Sequence, residues 1–424
     1  MKRVNDKPSS TKQVYFWNMI GSFSNALSSV VFLMIVARTL TGEEEDVFSI
    51  GFSIAQLMYT VATFQVRVFQ STDVNEEYRF GEYFGFRIVT SILMAFCTGG
   101  YILLHGYYGF KAIIIIVLCL YRMLDAIADV FEGLYQQKER LDLAGQFLTF
   151  RVVPSMLAFA VILYATRNLL FGCLGIVLVY GGVSVVYVLR HTGQFLESNA
   201  KILEFRFASI KKMAISVFPI FLNGFMLMYI FNVPKNAIDS GLNMGVLPVG
   251  SQILYNILFM PASVINLMFI FFRPQITRMA VYYSEGSINS VNKTARRIGL
   301  ILAGTTVFVV VAGVTIGLPI LGFIYNKNLG DYKIEFMLIL LGGGFSTLAT
   351  LMDNLLTIVR KQHLNLISYG ASLVVALIIV NPLVNHYAII GAAATYFCSM
   401  LLLFILLWFS YLFVIRDNRI RKDF

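Results

Sequence analysis

Runs of about twenty apolar residues, each closed by a short polar or charged stretch, recur from one end of the chain to the other. Coiled as a helix, a run of that length crosses roughly 30 Å of hydrocarbon. The runs place spans at about 14–36, 47–69, 85–105, 110–132, 147–166, 168–189, 213–233, 246–272, 298–324, 333–359, 364–384 and 387–414. The pattern predicts an all-α polytopic membrane protein with about 12 transmembrane helices.

The span ends repeat in order. Tyr135-Gln-Gln-Lys-Glu-Arg-Leu-Asp-Leu after the fourth span aligns with Ile358-Val-Arg-Lys-Gln-His-Leu-Asn-Leu after the tenth, so that Lys138 falls on Lys361 and Asp142 on Asn365. The first span closes at Arg38 and the seventh at Lys235; the second closes in Val68-Phe69-Gln70 and the eighth in Arg273-Pro274-Gln275. This order predicts two six-helix lobes in parallel repeat around a central cavity: residues 1–195, a cytoplasmic linker at 196–212, and residues 213–424. In the linker, Ile202, Leu203, Phe205, Phe207 and Ile210 alternate with Lys201, Glu204, Arg206, Lys211 and Lys212. Two readings stand open: a basic segment lying on anionic headgroups, or a solvated connection.

Composition agrees with the pattern. Of 424 residues, 58% are hydrophobic and 13% charged, against about a quarter charged in soluble domains. No room is left for a sizeable soluble domain. The start, Met1-Lys-Arg-Val-Asn-Asp-Lys, lacks the short apolar core and small-residue site of a cleaved signal peptide. The formal charge of +10 would suggest nucleic acid in a soluble protein. Here the distribution explains it, and no nucleic acid partner is expected. With the N-terminus inside, the inner segments hold Lys2, Arg3, Lys7, Lys12, Arg79, Lys138, Arg140, Lys201, Arg206, Arg278, Arg296, Arg360, Arg416, Arg421 and Lys422 among others. The outer segments hold only Arg38, Lys111, Arg167, Lys235, Lys327 and Lys333, a more than threefold bias. Cys97, Cys119, Cys173 and Cys398 lie inside apolar runs without CxxC spacing, and the four histidines form no HExxH, so neither a metal nor another cofactor is expected.

The chemistry lies in the few charges inside the spans. Arg122 sits near the middle of the fourth, with Asp125, Asp129 and Glu132 on the same helical face. A charge there costs about 2.5–3.5 kcal/mol on insertion scales, so it faces protein or water. Arg122 and Asp125, three apart, form a local ion pair; that pair serves either a cargo cavity or the packing between helices. Asp129 and Glu132 lie toward the inner interface, where water reaches them. Arg67 and Arg151, near the inner ends of their spans, either snorkel to headgroups or face the cavity. Arg38 and Lys235 are either flank charges or cavity cations. Asn18, Ser22, Asn25 and Ser29 stack on one face of the first span, lining a wet cavity or bonding a neighbouring helix. Taken together the cations outnumber the acids, which suits a phosphate-bearing or otherwise anionic cargo. Gly342-Gly343-Gly344 and Pro154, Pro219, Pro261 and Pro319 interrupt other spans and can serve as bending points.

At this point the chain resembles the oligosaccharide flippases of the MOP superfamily, the Wzx-type polysaccharide transporters. The resemblance rests on the twelve-span, two-lobe plan and on Val66-Arg67-Val68-Phe69-Gln70-Ser71-Thr72-Asp73-Val74 with Tyr83-Phe-Gly-Phe-Arg87, on Tyr121-Arg122-Met-Leu-Asp125 with Asp129-Val-Phe-Glu132-Gly133, and on Asn232-Val-Pro-Lys235-Asn-Ala-Ile-Asp239. It implies export of an undecaprenyl-diphosphate-linked repeat unit from the inner to the outer leaflet by alternating access. The setting would be the bacterial cytoplasmic membrane, with both termini cytoplasmic and with glycosyltransferases and a polymerase of the same pathway as partners besides the membrane lipids. A coupling ion or the membrane potential stands open. Lipid II flippases usually have further spans and a double-Arg motif where a single Arg67 stands here. Multidrug exporters of the superfamily typically carry an acidic residue in the first span, which here holds only Asn and Ser. A glycan polymerase or ligase would usually need a large outer loop, and every outer loop here is short.

The orientation has a direct test. A reporter active only outside the cytoplasm should be silent when fused after residue 424 and active when placed in the loop at Lys327. An active C-terminal fusion refutes the orientation.

Overall fold

The computed structural model describes residues 11–73, 77–196 and 201–420. The cations Lys2, Arg3, Lys7, Arg421 and Lys422 and linker residues 197–200 lie outside the described residues. Among the described residues every regular element is a helix: α1 Thr11–Thr39, α2 Glu43–Thr63, α3 Val66–Thr72, α4 Phe80–Leu104, α5 Gly109–Gln137, α6 Leu141–Thr166, α7 Leu169–His191, α8 Phe207–Asn243, α9 Ser251–Leu267, α10 Arg273–Ser284, α11 Ile288–Ala312, α12 Leu318–Tyr325, α13 Lys333–Ile358 and α14 Gln362–Ile420. The chain divides into two compact units, Met1–Phe225 and Met226–Phe424. The division falls inside α8, further along the chain than residues 196–212.

Length and apolarity single out eight described helices able to cross a membrane, where the apolar runs predict about 12. The difference has physical causes. α5 carries Arg122, Asp125, Asp129 and Glu132 in its middle and lower half, and α9 has only 17 residues. α14 counts once, although its 59 residues contain a non-helical Ala388 at φ 50°, ψ −127°. At about 1.5 Å per residue it is long enough for two passages of a ~30 Å core.

In the first unit α1 packs along α6, α6 on α7, α7 on α5, and α5 on α2, with α4 against α2 and α5. Glycines set the closest approach. A Cβ on Gly21 would come 2.7 Å from the Gly145 carbonyl oxygen, and one on Gly145 would strike the Trp17 carbonyl. α1 and α6 therefore touch backbone to backbone, as small residues permit in membrane helices. At the other end of this pair, Arg167 donates to the carbonyl of Thr39 at 2.6 Å, satisfying one of the acceptors that the end of α1 leaves open.

The second apolar run, expected as one span at 47–69, is broken. Phe64 and Gln65 take left-handed conformations (φ 46° and 56°) between α2 and α3. Neither is glycine, so the break costs on the order of 1–3 kcal/mol per residue. Arg87 and Thr90 of α4 offset it by donating to the Ala62 carbonyl at 2.7 and 2.6 Å. Phe64 stacks on Phe221 of α8 with ring centroids 4.0 Å apart. The matching helix of the second unit is broken too, by a tight turn at Met268–Phe272 between α9 and α10.

The described part of the linker is neither free nor simply solvated. Its Glu204 amide donates to the Gly81 carbonyl at 3.0 Å, and Gly81 and Gly85 leave the room for its backbone against α4. Ser209 donates to Glu82 at 2.5 Å, and Lys212 pairs with Glu77. Ile202, Phe205 and Phe207 stay exposed.

In the second unit α13 packs against α14, α9 and α11. Gly342, Gly343 and Gly344 do not bend it; α13 runs unbroken. Successive helical positions point roughly 100° apart. Accordingly Gly342 lies under the Tyr396 ring, Gly343 against Ala262 and Gly344 against Thr306, each pressed by a different neighbour.

Gly145→Val should lower the apparent melting temperature of the purified protein in detergent, since overpacking costs about 1–3 kcal/mol. Gly100→Ala, where an added Cβ meets nothing within 4 Å, should leave it unchanged or raised. Equal melting of Gly145→Val and the parent would refute the close crossing.

Candidate functional site

Residues 122, 125, 129 and 132 recur at helical spacing, so one face of α5 carries a cation and three carboxylates through the bundle. That face is covered by α3, α4, α6 and α7, and each except α7 brings an arginine. Arg67 of α3 reaches Asp129 at 2.8 Å and Glu132 at 2.7 Å. Arg87 of α4 reaches Asp129 at 2.9 Å. Arg151 of α6 pairs with Glu132 and lies 3.3 Å from Asp125. Arg122 closes onto Asp125 at 3.1 Å.

These contacts form one alternating chain: Arg87, Asp129, Arg67, Glu132, Arg151, Asp125, Arg122. Every carboxylate sits between two guanidinium groups. Four cations face three anions, so one positive charge is in excess. Tyr180 of α7 joins the chain, accepting from Arg151 Nε at 2.7 Å and donating to Asp125 at 2.5 Å. Such contacts recover part of the several kcal/mol that desolvating each ion costs.

The arginines differ in surroundings. Arg87 and Arg151 are each 1% exposed. Arg122, 6% exposed, has the rings of Phe52, Tyr59 and Tyr121 at 5.0, 5.6 and 5.0 Å from its guanidinium carbon. Its charge is met by the faces of those rings as well as by Asp125. The Nε atoms of Arg87 and Arg122 and one terminal nitrogen of Arg151 have no hydrogen-bond partner. Arg67 stands apart: its side chain is 34% exposed, while both of its carboxylate partners are buried.

Several expectations change here. The Arg122–Asp125 pair forms, but inside the packing of the first unit. Asp129 and Glu132 are buried and ion-paired instead of wet. Arg67 and Arg151 turn inward to carboxylates instead of snorkelling to headgroups, because α5 offers them anions at the same depth. The other candidates lie outside the chain of seven. Asn18, Ser22 and Asn25 are exposed on α1 and Ser29 is half-buried. Arg38 is exposed in the last turn of α1. Lys235, in the second unit, is half-buried with its ammonium 4.6 Å from the centre of the Phe259 ring. Sequence reasoning passed over Arg87 and Tyr180 as site residues. An arginine at the third residue of an apolar run was the available signal for Arg87; a tyrosine in an apolar helix gives none.

No protein-family model matches the chain. It is 21% identical over 403 residues, 92% of its own length and 97% of the relative's, to the capsular polysaccharide biosynthesis protein CapF of Staphylococcus aureus. Among solved structures it is similar to a multidrug resistance transporter of the MATE family in its inward-facing conformation, with a TM-score of 0.64 at 11% identity, covering 93% of this chain and 95% of that one. It is likewise similar to a MOP superfamily transporter from Pyrococcus furiosus, with a TM-score of 0.60 at 11% identity over 97% and 95% of the two chains. A third, the MATE transporter VcmN of Vibrio cholerae in its bent form, gives a TM-score of 0.57 at 12% identity over 96% and 98%. The chain has the fold of the MOP superfamily transporters, and its similarity to a capsular polysaccharide biosynthesis protein extends over nearly its whole length.

Proposed function

We propose that this protein is a flippase, moving a lipid-linked oligosaccharide from the inner to the outer leaflet of the bacterial cytoplasmic membrane for surface polysaccharide assembly. It is a carrier and not an enzyme. Its cargo comes from glycosyltransferases and passes to a polymerase. The observation that carries this reading is the uneven chain of charges in the first unit: four arginines against three carboxylates, with Arg67 alone part-exposed. Similarity to a capsular polysaccharide biosynthesis protein supports it. So does α1, which among its described residues has no carboxylate to hold a cationic drug or ion.

An excess buried cation favours an anion at its open end. A diphosphate, or an acidic sugar, that reaches Arg67 competes with Asp129 and Glu132 for the same forked donors. While the cargo is bound, those carboxylates stay neutralised by Arg87 and Arg151. When it leaves, they take Arg67 back, so release exposes no unpaired charge. The exposed amides and hydroxyls of Asn18, Ser22 and Asn25 replace water for the sugar, and Arg38 adds positive potential. Arg122 and Arg151 are then positioning residues that hold Asp125 and Glu132 in place.

Two outcomes follow in a strain lacking its own flippase, with protein level and exported polymer measured together. Arg67→Gln should accumulate normally and lose export on the order of tenfold or more, the worth of a charged contact of about 1.5–3 kcal/mol; Arg67→Lys should keep part of it. Normal export by Arg67→Gln defeats the proposal.

Arg151→Met should instead fail to accumulate as folded protein, because removing one partner of a buried pair costs about 3–5 kcal/mol. Parent-level accumulation and melting of Arg151→Met would show that the chain of charges does not hold the unit together.

A further inference from the structure

The first unit contains a second feature that the charge chain does not use. A groove of about 520 Å³ runs between α6 and α7. Phe150 and Pro154 form one wall, and Val183 and Val186 the other. Phe150 and Val186 are exposed, so the groove opens to the surface of the unit. At one end Gly182 is exposed and a Cβ on it would meet nothing within 4 Å, so there is space where a side chain would otherwise stand. At the other end, Arg190 and His191 are themselves part of the lining. Arg190 is exposed and pairs with no carboxylate among the described residues. His191 is pinned: its ring stacks on Tyr187 with centroids 4.2 Å apart, and its Nδ1 contacts the Tyr187 carbonyl at 3.1 Å. Tyr187 is held in turn by donating to the Leu143 carbonyl at 3.1 Å. The mouth thus sets the Arg190 cation beside a held imidazole, and the interior is mostly apolar.

We propose that this groove seats the isoprenoid chain of a phosphate-bearing lipid in the inner leaflet, with the phosphate at Arg190 and His191. The proposal rests on the flippase reading for the identity of the lipid. Charge complementarity argues for the occupant. One guanidinium beside one imidazole suits a phosphate, and an apolar groove ending at that pair suits a chain attached to it. The dimensions agree: from Gly182 to His191 the helix rises roughly 13 Å, about one leaflet of a ~30 Å core. The groove takes the stretch of a single chain next to the phosphate, the rest of the isoprenoid lying in lipid, and a volume in the range of a single small-molecule site suits one chain better than two. By the Lys/Arg bias the Arg190 end is the cytoplasmic end, where a newly made lipid-linked cargo arrives. The groove then holds the tail while the head is handed to Arg67.

The test uses the full chain in phosphatidylcholine nanodiscs, titrated with undecaprenyl phosphate or with phosphatidylglycerol and read by native mass spectrometry. Gly182→Leu fills the groove, and Arg190→Gln, at an exposed site, removes the headgroup contact without disturbing the fold. Each should weaken undecaprenyl phosphate binding by about tenfold and leave phosphatidylglycerol binding unchanged. Unchanged undecaprenyl phosphate binding in both variants overturns the proposal. So does equal binding of the two lipids by the parent, which marks an ordinary phospholipid site. Export measured in the same strains separates the two ideas. If the parent chain does not restore polymer export, the flippase reading fails. If the parent restores it and both variants bind and export as the parent does, only the groove assignment fails.

Discussion

An arginine inside a membrane helix bundle must meet its anion within the protein, because water is not there to solvate it. In the first unit this need is met four times over with only three carboxylates. The alternating order is what makes that tolerable: each of Asp125, Asp129 and Glu132 serves two cations, and no two like charges are neighbours along the chain. The three carboxylates share one face of α5, so this helix fixes where α3, α4 and α6 bring their arginines. Removing an interior member leaves its two neighbours with one partner fewer each, which is why the contacts act as a unit.

Other features of the unit follow from that arrangement. The break at Phe64 and Gln65 turns α3 so that Arg67 can reach two carboxylates on α5. The carbonyl that the break releases at Ala62 is taken by Arg87, itself a member of the chain. Backbone strain and charge burial therefore offset one another at a shared residue. The glycine crossing of α1 and α6 adds packing that no ionic contact supplies, and α6 is the helix that brings Arg151.

The second unit solves its packing differently. Its helix α13, which matches α5 in the repeated span ends, presents three consecutive glycines to three neighbours in place of a charged face. The polar groups described there are mostly neutral: Gln252, Asn256 and Asn232 are buried, and Asn365 bonds Asp353. The repeat visible in the span ends thus carries one chemistry in one unit and another in its counterpart. This is why the proposed cargo contact is placed in the first.

The sequence by itself determined that the chain is a helical membrane protein, that α5 carries four charges on one face, and that Arg122 pairs with Asp125. Each of these depends on residues within a few positions of one another, where helical geometry alone decides who meets whom. The break at Phe64–Gln65 was not legible, since neither residue favours a left-handed turn and only the packing of Phe64 on Phe221 and the capture of the Ala62 carbonyl sustain it. Nor was the pairing of Arg67 with Asp129 and Glu132, 62 and 65 positions away. From sequence both the snorkelling and the cavity reading of Arg67 and Arg151 stand open, because a charge near the end of a span can be satisfied by headgroups, water or protein. Only the tertiary structure decided among them, by setting the α5 carboxylates at the same depth as those arginines and within reach of them.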